Sequence, residues 1–492
     1  MKRIYSLLIL FIVASIGFHS CDDMDDSLSV TSGLEVQTFI WKGLNLYYLW
    51  QQDVPDLADN RFANTSELNE FLYTKETPEI LFQDLLNKPI SKFPLTEAVD
   101  RFSVIVSDYT YLENLFQGIT KNNGVEFSLY RQSASSNEVL GVVRYIIPNS
   151  DASTKSIQRG DIFYAINGIA LNIDNYNSLL ASDTYTLNLA DYDNGNITPN
   201  GQTVSLTKTE LTENPILISK VITNGNHKIA YVMYNGFTAN FDIQLNTAFA
   251  ELKAQGTTEL VLDLRYNSGG SVQTATRLAS MITGQFNGQL FAKQKWNDKL
   301  QPIFESRNEA NLINNFTNTI EGQAINSLNL SKVYILTTKA TASASELVIN
   351  GLKPYVNVVQ IGTTTTGKNV GSITLYDSPT FGKAGRSNKH KYAMQPLVIK
   401  TINKDGFGDY QNGLVPTVEL AEDINNLGQL GDTNEPLLST AIGLITANGR
   451  MIKQSNGSKF IEFKDSKSMK RFGTDMYITA DGLPSDMISK LE

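Results

Sequence analysis

The sequence of 492 residues contains a single cysteine, Cys21, so the chain cannot form an internal disulfide. It also lacks an excess of positive charge, because 41 Lys and Arg residues stand against 50 Asp and Glu residues, a formal net charge of -9. Nucleic-acid-binding surfaces are basic, and this balance therefore argues against a nucleic-acid partner. Internal repeats and low-complexity blocks are missing too. What remains is an ordinary globular composition, 41% hydrophobic, with a length that predicts about three domains.

The N-terminus differs from the rest of the chain. Lys2 and Arg3 precede an apolar stretch, residues 4–16, that is too short to span a bilayer, and small or polar residues lead from it to Cys21. This layout is typical of a signal peptide, which we predict over residues 1–20. A short buried helix is the alternative interpretation.

Residues 17–21 resemble a bacterial lipobox, in which the cysteine is acylated and becomes the mature N-terminus. Four aspartates lie within residues 22–26, and this acidic tether, predicted over residues 21–33, resembles that of Bacteroidetes surface lipoproteins. The resemblance implies lipidation of Cys21, the lipid bilayer as a partner, and a cell-envelope location, in the outer membrane or facing the periplasm. A soluble secreted protein with a free cysteine is the alternative.

Two further segments precede the central part of the chain. Apolar residues at helical spacing, as in residues 36–50, predict a helical domain over residues 34–118. Short alternating strands follow over residues 119–212. Residues 156–169 resemble the core of a PDZ domain, which implies a peptide-binding loop containing Gly124, Val125 and Phe127. Glu126 stands in this loop where a smaller residue is commoner, which argues against binding of free carboxylates.

Strands and helices alternate over residues 213–447, among them a strand over residues 227–234, a helix over residues 242–255 and a helix over residues 345–352. This pattern predicts an α/β core with a largely parallel sheet. The PDZ-like β-rich domain is then an insertion between the N-terminal helical domain and this core. Residues 448–492 are more polar, and we predict a C-terminal tail there, either free or folded as an added hairpin.

A strand that ends in small residues and leads into a helix places Ser343 at the junction, within residues 337–347. A serine at such a junction is expected to be exposed and to lie near the N–H groups of the helix, which stabilise developing negative charge. The alternative is structural, because Ser343 or Ser345 could cap the helix while Glu346 completes a capping box. The segment alone does not decide between catalysis and capping.

Two other segments favour catalysis. A second strand leads into a Gly- and Thr-rich turn that contains Lys368, and residues 261–271 have the sequence of a buried strand followed by Gly269 and Gly270. Together with the serine segment they resemble the motifs of the C-terminal processing, or tail-specific, serine protease family. The resemblance implies that Ser343 is the nucleophile and Lys368 its general base.

The same resemblance implies further roles at the site. The oxyanion hole would consist of the Ala344 N–H group and that of Gly269 or Gly270. Supporting roles fall on four residues of the motifs: Glu346, Asp263, Arg265 and Asn267. The fold implied is the α/β core of a tail-specific protease, which requires no cofactor and no metal.

The chemistry requires a base, because a serine hydroxyl does not attack a peptide carbonyl unaided. A lysine accepts a proton only when it is neutral, and burial favours the neutral form. Lys368 follows an apolar strand, which makes burial plausible. Beyond residue 20 the sequence has only His227 and His390, and neither lies in a recognisable Ser-His-Asp setting.

Two alternatives compete with this interpretation. Residues 362–368 match the first seven positions of a phosphate-binding P-loop, but Asn369 occupies the position where Ser or Thr must contact magnesium. The second alternative is a catalytically inactive lipoprotein that binds a peptide or other ligand on the same fold, since fold does not determine function. We expect a serine endopeptidase that cleaves exported or unfolded polypeptides near their C-termini.

Overall fold

The computed structural model describes residues 33–193, 196–308, 312–446, 460–470 and 472–479. The predicted signal peptide, Cys21 and nearly all of the acidic tether lie outside these ranges. Within them, no helix combines the length and the apolar content needed to cross a membrane.

The N-terminal part is mainly helical. Its elements are α1 (Glu35–Tyr47), α2 (Thr65–Tyr73), α3 (Pro78–Asp84), β1 (Val104–Val106) and α4 (Tyr109–Phe116). Asn64 and Thr77 accept hydrogen bonds from the first turns of α2 and α3 and so define where these helices begin. The apolar face of α1, with Phe39 and Tyr47, packs in one cluster with Met394 of the core, which fixes this part to the core.

The β-rich part follows over residues 119–212. Its elements are β2 (Ile119–Asn122), β3 (Val125–Arg131), β4 (Val139–Ile146), β5 (Ile162–Ile166), β6 (Ile169–Ala170), α5 (Tyr176–Ala181), β7 (Thr184–Asp193), β8 (Asn196–Thr207) and β9 (Thr209–Thr212). Strands β3, β4, β5, β7 and β8 form an antiparallel sheet in that order. Leu180 of α5 packs into the core of this sheet.

The central part contains the longest run of alternating elements. They are β10 (Ile216–Asn224), β11 (His227–Tyr234), α6 (Asp242–Ala254), β12 (Glu259–Asp263), β13 (Gly270–Ser271), α7 (Val272–Thr283), β14 (Leu290–Lys295), α8 (Gln301–Asn308), β15 (Ile313–Asn315), β16 (Thr319–Ile320), β17 (Gln323–Ala324), β18 (Lys332–Thr337), α9 (Ala344–Leu352), β19 (Asn357–Gly362), β20 (Val370–Ser372), β21 (Leu375–Tyr376), β22 (Ala393–Gln395), β23 (Leu397–Ile402), β24 (Val418–Glu419) and α10 (Pro436–Ile445).

A six-stranded sheet, in the order β10-β11-β12-β18-β19-β24, is the centre of this part. All neighbouring strands are parallel except β10 and β11. Helices cover both faces, α6, α7 and α9 on one and α10 on the other, which explains the continuous apolar runs of the strands. The carboxyl ends of β12, β18 and β19 meet at one edge, where such sheets bind ligands.

The last two strands are β25 (Ile461–Asp465) and β26 (Met476–Tyr477). Strand β25 pairs antiparallel with β3 of the β-rich part. Strand β26 lies between β13 and β20 in a second six-stranded sheet, ordered β13-β26-β20-β23-β14-β15. The described part of the predicted C-terminal tail is therefore built into two sheets. A free tail or a local hairpin is wrong for these residues, because both strands pair with partners distant in sequence.

Candidate active site

Ser343 lies where β18 gives way to α9, and its backbone has an uncommon conformation. Its φ of 64° and ψ of -116° place a non-glycine residue in a region that costs about 1–3 kcal/mol and persists where the surroundings enforce it. The side chain is buried, and Ser343 forms a capping box with Glu346 at the start of α9, although its Oγ makes no full hydrogen bond with any described residue. A buried hydroxyl without a partner is rare, and it marks Ser343 as a candidate functional group.

Glu346 connects the serine turn to the lysine turn. Its Oε2 accepts hydrogen bonds from the N–H groups of Ser343 at 2.7 Å and Lys368 at 2.8 Å. Its Oε1 accepts from the Gly367 N–H at 2.7 Å and from the Thr365 hydroxyl. Burial raises the pKa of this carboxyl above its usual value, while these hydrogen bonds act in the opposite direction. The capping carboxylate of α9 thus also brings the two predicted catalytic residues together.

Lys368 is fully buried, and its amine does not contact Ser343 through a hydrogen bond. Its Nζ donates to Asp475 Oδ1 at 2.6 Å and lies 4.5 Å from the centroid of the Phe102 ring. Burial raises the pKa of the Asp475 carboxyl, and Lys368 opposes that shift. Asp475 Oδ2 is buried with no hydrogen-bond partner among the described residues. The predicted nucleophile and base are therefore neighbours, but an acidic residue holds the amine.

The N-terminal part supports the lysine turn through residues that the sequence did not assign to the site. Arg101 donates to the carbonyl of Gly367 at 2.5 Å, and Phe102 lies against the Lys368 amine. Asp100 fixes this turn by accepting from the N–H groups of Phe102 and Ser103 at 3.0 and 2.8 Å. The sequence of residues 100–103, with its charged and aromatic side chains, was the only sign that this turn could matter. No motif or spacing in the sequence relates these residues to Lys368.

Gly269 and Gly270 bring the backbone directly against Ser343. Their φ angles of 116° and 134° strongly favour glycine. A Cβ on Gly269 would lie 2.5 Å from Ser343 Cβ and 2.8 Å from its Oγ. The Gly269 N–H donates to Asn267 Oδ1 at 2.9 Å, and the backbone of Gly270 is paired with Met476 of β26. Ala344 is the first residue of α9, so its N–H has no partner within the helix.

The remaining residues of the glycine motif hold the loop in place. Arg265 is buried, and its Nε donates to both oxygens of Asp263 at 3.0 Å. Its two Nη atoms donate to Glu435 at 2.6 and 2.9 Å, a partner that the sequence did not reveal. Asn267 Nδ2 donates to the Tyr234 carbonyl at 2.8 Å. Since these bonds are internal, the three motif residues position the backbone and leave no group for a ligand.

The predicted peptide-binding residues lie on β3 and just before it. Val125 and Phe127 are buried in the core of the β-rich part, and Gly124 packs against Ser150, which a Cβ would approach to 1.8 Å. The backbone of Phe127 is already paired, because it exchanges hydrogen bonds with Ser466 of the C-terminal segment at 2.9 and 3.1 Å. Strand β25 therefore occupies the edge of the sheet beside β3, where it pairs with residues 128–131.

The rival chemistries find little support in the geometry. His227 pairs with Glu259, and His390 pairs with Asp377, each at 3.0 Å, so neither imidazole bonds to Ser343. In the P-loop-like turn, the N–H groups of Gly367 and Lys368 face the Glu346 carboxylate. A turn whose N–H groups surround a carboxylate does not offer them to a phosphate.

A cavity of about 130 Å³ lies beside the glycine loop. Gly269 and Gly270 form one side, and Phe116 and Phe237 contribute apolar surface. The C-terminal segment contributes Lys467, Lys470, Phe472, Asp475 and Tyr477 to the lining. The space next to the candidate nucleophile is therefore partly filled by the chain itself.

Comparisons with known proteins show which family the chain resembles. Residues 228–384, which contain Ser343 and Lys368, match the model of peptidase family S41, and residues 35–104 match the peptidase S41 N-terminal domain. The carboxyl-terminal-processing protease of Picosynechococcus is 24% identical over 391 residues, which cover 77% of this chain and 86% of that protein. The chloroplastic C-terminal processing peptidase of Tetradesmus obliquus is 24% identical over 259 residues, about half of each chain, at 50% and 51%.

A solved structure is similar over most of the chain. It is a crystal structure assigned to the S41 proteases, from Bacteroides fragilis, with 27% identity and a TM-score of 0.63. The match covers 84% of this chain and 97% of that one. These findings show peptidase S41 domains over residues 35–104 and 228–384 and a fold similar to that of an S41 protease.

Proposed function

We propose that this protein is a serine endopeptidase that uses Ser343 and Lys368 to cleave exported or unfolded polypeptides near their C-termini. One observation carries the proposal: a single oxygen of Glu346 binds the backbone N–H groups of both residues, beside a glycine loop that packs on the Ser343 side chain. The similarity to carboxyl-terminal-processing proteases supports the substrate class.

In the proposed mechanism, Ser343 Oγ attacks the carbonyl carbon of the scissile bond while the neutral Lys368 amine takes its proton. The N–H groups of Gly270 and Ala344 stabilise the oxyanion, a contribution worth about 10²–10³ in rate per donor in related chemistry. Collapse of this intermediate expels the amine, which takes the proton back from Lys368. Water, deprotonated by the same amine, then hydrolyses the acyl-enzyme. Before the first step, the Lys368 amine must leave the Asp475 carboxylate and form a hydrogen bond with the Ser343 hydroxyl.

The experiment compares wild type, Ser343→Ala and Ser345→Ala on an unfolded protein, with fragments identified by mass spectrometry. Ser345 is a matched control, because it is an equally buried serine of the same turn whose hydroxyl donates to the Asn267 carbonyl at 3.0 Å. We expect Ser343→Ala to lose at least about 10³-fold in rate and Ser345→Ala to retain cleavage. Loss of cleavage in Ser345→Ala alone would show that the nucleophile is misassigned.

An inactive binding protein on the same fold is the second candidate, because Asp475 occupies the amine of Lys368. It predicts that the wild-type chain binds unfolded polypeptide and never cleaves it. Cleavage that depends on Ser343 excludes this candidate.

We also propose export and lipid anchoring through Cys21, which lies outside the described residues. The apolar stretch that ends at the single cysteine supports this proposal. We expect mass spectrometry to find an acylated Cys21 at the mature N-terminus, and Cys21→Ser to move the protein out of the membrane fraction. A mature N-terminus elsewhere would contradict the proposal.

A further inference from the structure

The C-terminal segment, defined as residues 460–470 and 472–479, occupies two places in succession. Its first half lies on the β-rich part, and its second half lies in the candidate active site. Between them the segment lines the cavity beside Gly269. This path runs from the predicted peptide-binding strand to the predicted nucleophile.

On the β-rich part, the segment binds by strand addition. Strand β25 extends the sheet at β3, and Ser466 continues the pairing by exchanging hydrogen bonds with the Phe127 backbone. The ring of Phe463 packs edge-on against Tyr176 of α5, with centroids 5.4 Å apart. A strand that adds to a sheet edge and places a side chain against a neighbouring helix is a recurring mode of peptide recognition.

In the active site, the segment adds a second strand. Met476 is aligned with Gly270, and Tyr477 with both Ser271 and Ser372, so that β26 fills the space between two strands of the sheet. A Cβ on Gly269 would lie 2.8 Å both from the Asp475 carbonyl oxygen and from Ser343 Oγ. The backbone at Asp475 therefore runs next to the nucleophile, where the chain of a substrate must pass.

Buried charges match the segment to the rest of the chain. Glu126 pairs with Lys470 at 3.3 Å, Arg144 pairs with Glu462, and Lys368 pairs with Asp475 at 2.6 Å. A buried charge without a partner is costly, so three such pairs specify this segment rather than an arbitrary strand. Burial alone would raise the pKa of Glu126, yet Lys470 and Lys467 lower it to about 2.

We propose that the C-terminal segment is an intramolecular inhibitor that occupies the substrate path as an extended strand. Asp475 holds the Lys368 amine in an ion pair and away from Ser343, so the segment must leave before the chain can cleave a substrate. This inference rests on the proposed peptidase function. It also identifies the form in which a substrate binds, as a strand inserted between β13 and β20.

The first test measures cleavage of an unfolded protein by the full chain and by Asp475→Asn. An inhibitory Asp475 predicts that kcat/KM rises by about tenfold or more in the variant, because the ion pair that retains the segment is lost. A fall or no change would overturn the inference. A fall would mean that Asp475 positions Lys368 in the active enzyme.

A second variant weakens the binding of the C-terminal segment at a position that does not contact Lys368. Lys470→Gln removes the charge that faces Glu126, on the β-rich part, while preserving a hydrogen-bond donor. We expect it also to raise kcat/KM. Lys464→Gln is the matched control, since Lys464 is an exposed lysine of the same segment, and it should leave kcat/KM unchanged. Equal rates for Lys470→Gln and wild type would contradict the inference.

A binding measurement does not depend on cleavage. A fluorescent synthetic peptide of residues 460–479 is titrated into Ser343→Ala and into Ser343→Ala/Asp475→Asn. We expect about tenfold tighter binding to the double variant, because its own segment competes less. Equal binding to both, or none to either, would overturn the inference. A third outcome separates the two proposals. If the peptide binds more tightly to the double variant but no variant that retains Ser343 cleaves a substrate, the proposed peptidase function is refuted. The C-terminal segment would still be shown to occupy the peptide path.

Discussion

Glu346→Gln is the change that tests most directly whether one carboxylate assembles the site. The substitution preserves shape but replaces one acceptor oxygen by an NH₂ group, which must then face two of the four donors that now bind Glu346. The donors affected are the backbone N–H groups of Ser343 and Lys368 if Oε2 is replaced. An unsatisfied buried donor costs about 1–3 kcal/mol, so the free energy of unfolding should fall by about 2–6 kcal/mol.

The assay is chemical denaturation followed by kinetics under conditions in which the variant is folded. We expect kcat to fall more than KM rises, because the substitution displaces the two predicted catalytic residues but not the strands proposed to hold the substrate. Glu419→Gln is the control, since Glu419 is exposed at the edge of the central sheet. We expect this substitution to change the free energy of unfolding by no more than about 0.5 kcal/mol. A Glu346→Gln protein with wild-type stability and wild-type kcat would refute the reasoning.

Three further predictions follow from the same contacts. Gly269→Ala should fold but lose activity by at least about 100-fold, measured as kcat, because a Cβ there would lie 2.5 Å from Ser343 Cβ. Lys368→Arg should be inactive, since a guanidinium stays charged; near-normal rates in a cleavage assay would exclude the lysine as base. Burial alone would raise the pKa of Glu422, yet Arg159 and Arg265 lower it from 4.5 to about 2. The Glu422 carboxylate therefore stabilises the fold above about pH 4.5. This contribution to the free energy of unfolding is lost as the pH falls toward 2. Glu422→Gln should flatten that part of a plot of the free energy of unfolding against pH.

The elements of the central sheet were predictable because they carry strong local patterns. The strand predicted over residues 227–234 is observed as His227–Tyr234, and the helix predicted over residues 242–255 is observed as Asp242–Ala254. The helix after the nucleophile was predicted from residue 345 and begins at Ala344. Apolar periodicity and the short connections of a parallel α/β sheet determine these elements locally.

The second six-stranded sheet could not be predicted in the same way. Its strands β13, β20 and β26 have two or three residues each, too few for a periodic pattern. Their pairing joins segments that are far apart in sequence, and no local propensity indicates such a partner. For the same reason the sequence predicted a tail where the structure has β25 and β26.

The site shows the same division between local and distant signals. Ser343, Lys368 and the glycine loop belong to short motifs, so resemblance to a family was enough to select them, and their catalytic roles remain predictions. Asp475 lies in a polar stretch, and an isolated aspartate there has no spacing that relates it to a lysine. Glu126 is an unusual residue of the predicted peptide-binding loop, but its partner Lys470 lies 344 residues later in the sequence.

The contact between Lys368 and Asp475 bears on how the site works. A carboxylate 2.6 Å from an amine stabilises the ammonium form, whereas a general base must be neutral when it accepts the serine proton. Moving the carboxylate away removes this partner of the amine, which also lies 4.5 Å from the centroid of the Phe102 ring. The hydroxyl of Ser343, which has no hydrogen-bond partner among the described residues, is then available to donate to that amine. Under the proposed inhibition, departure of the C-terminal segment would therefore open the substrate path and release the Lys368 amine from Asp475 at the same time.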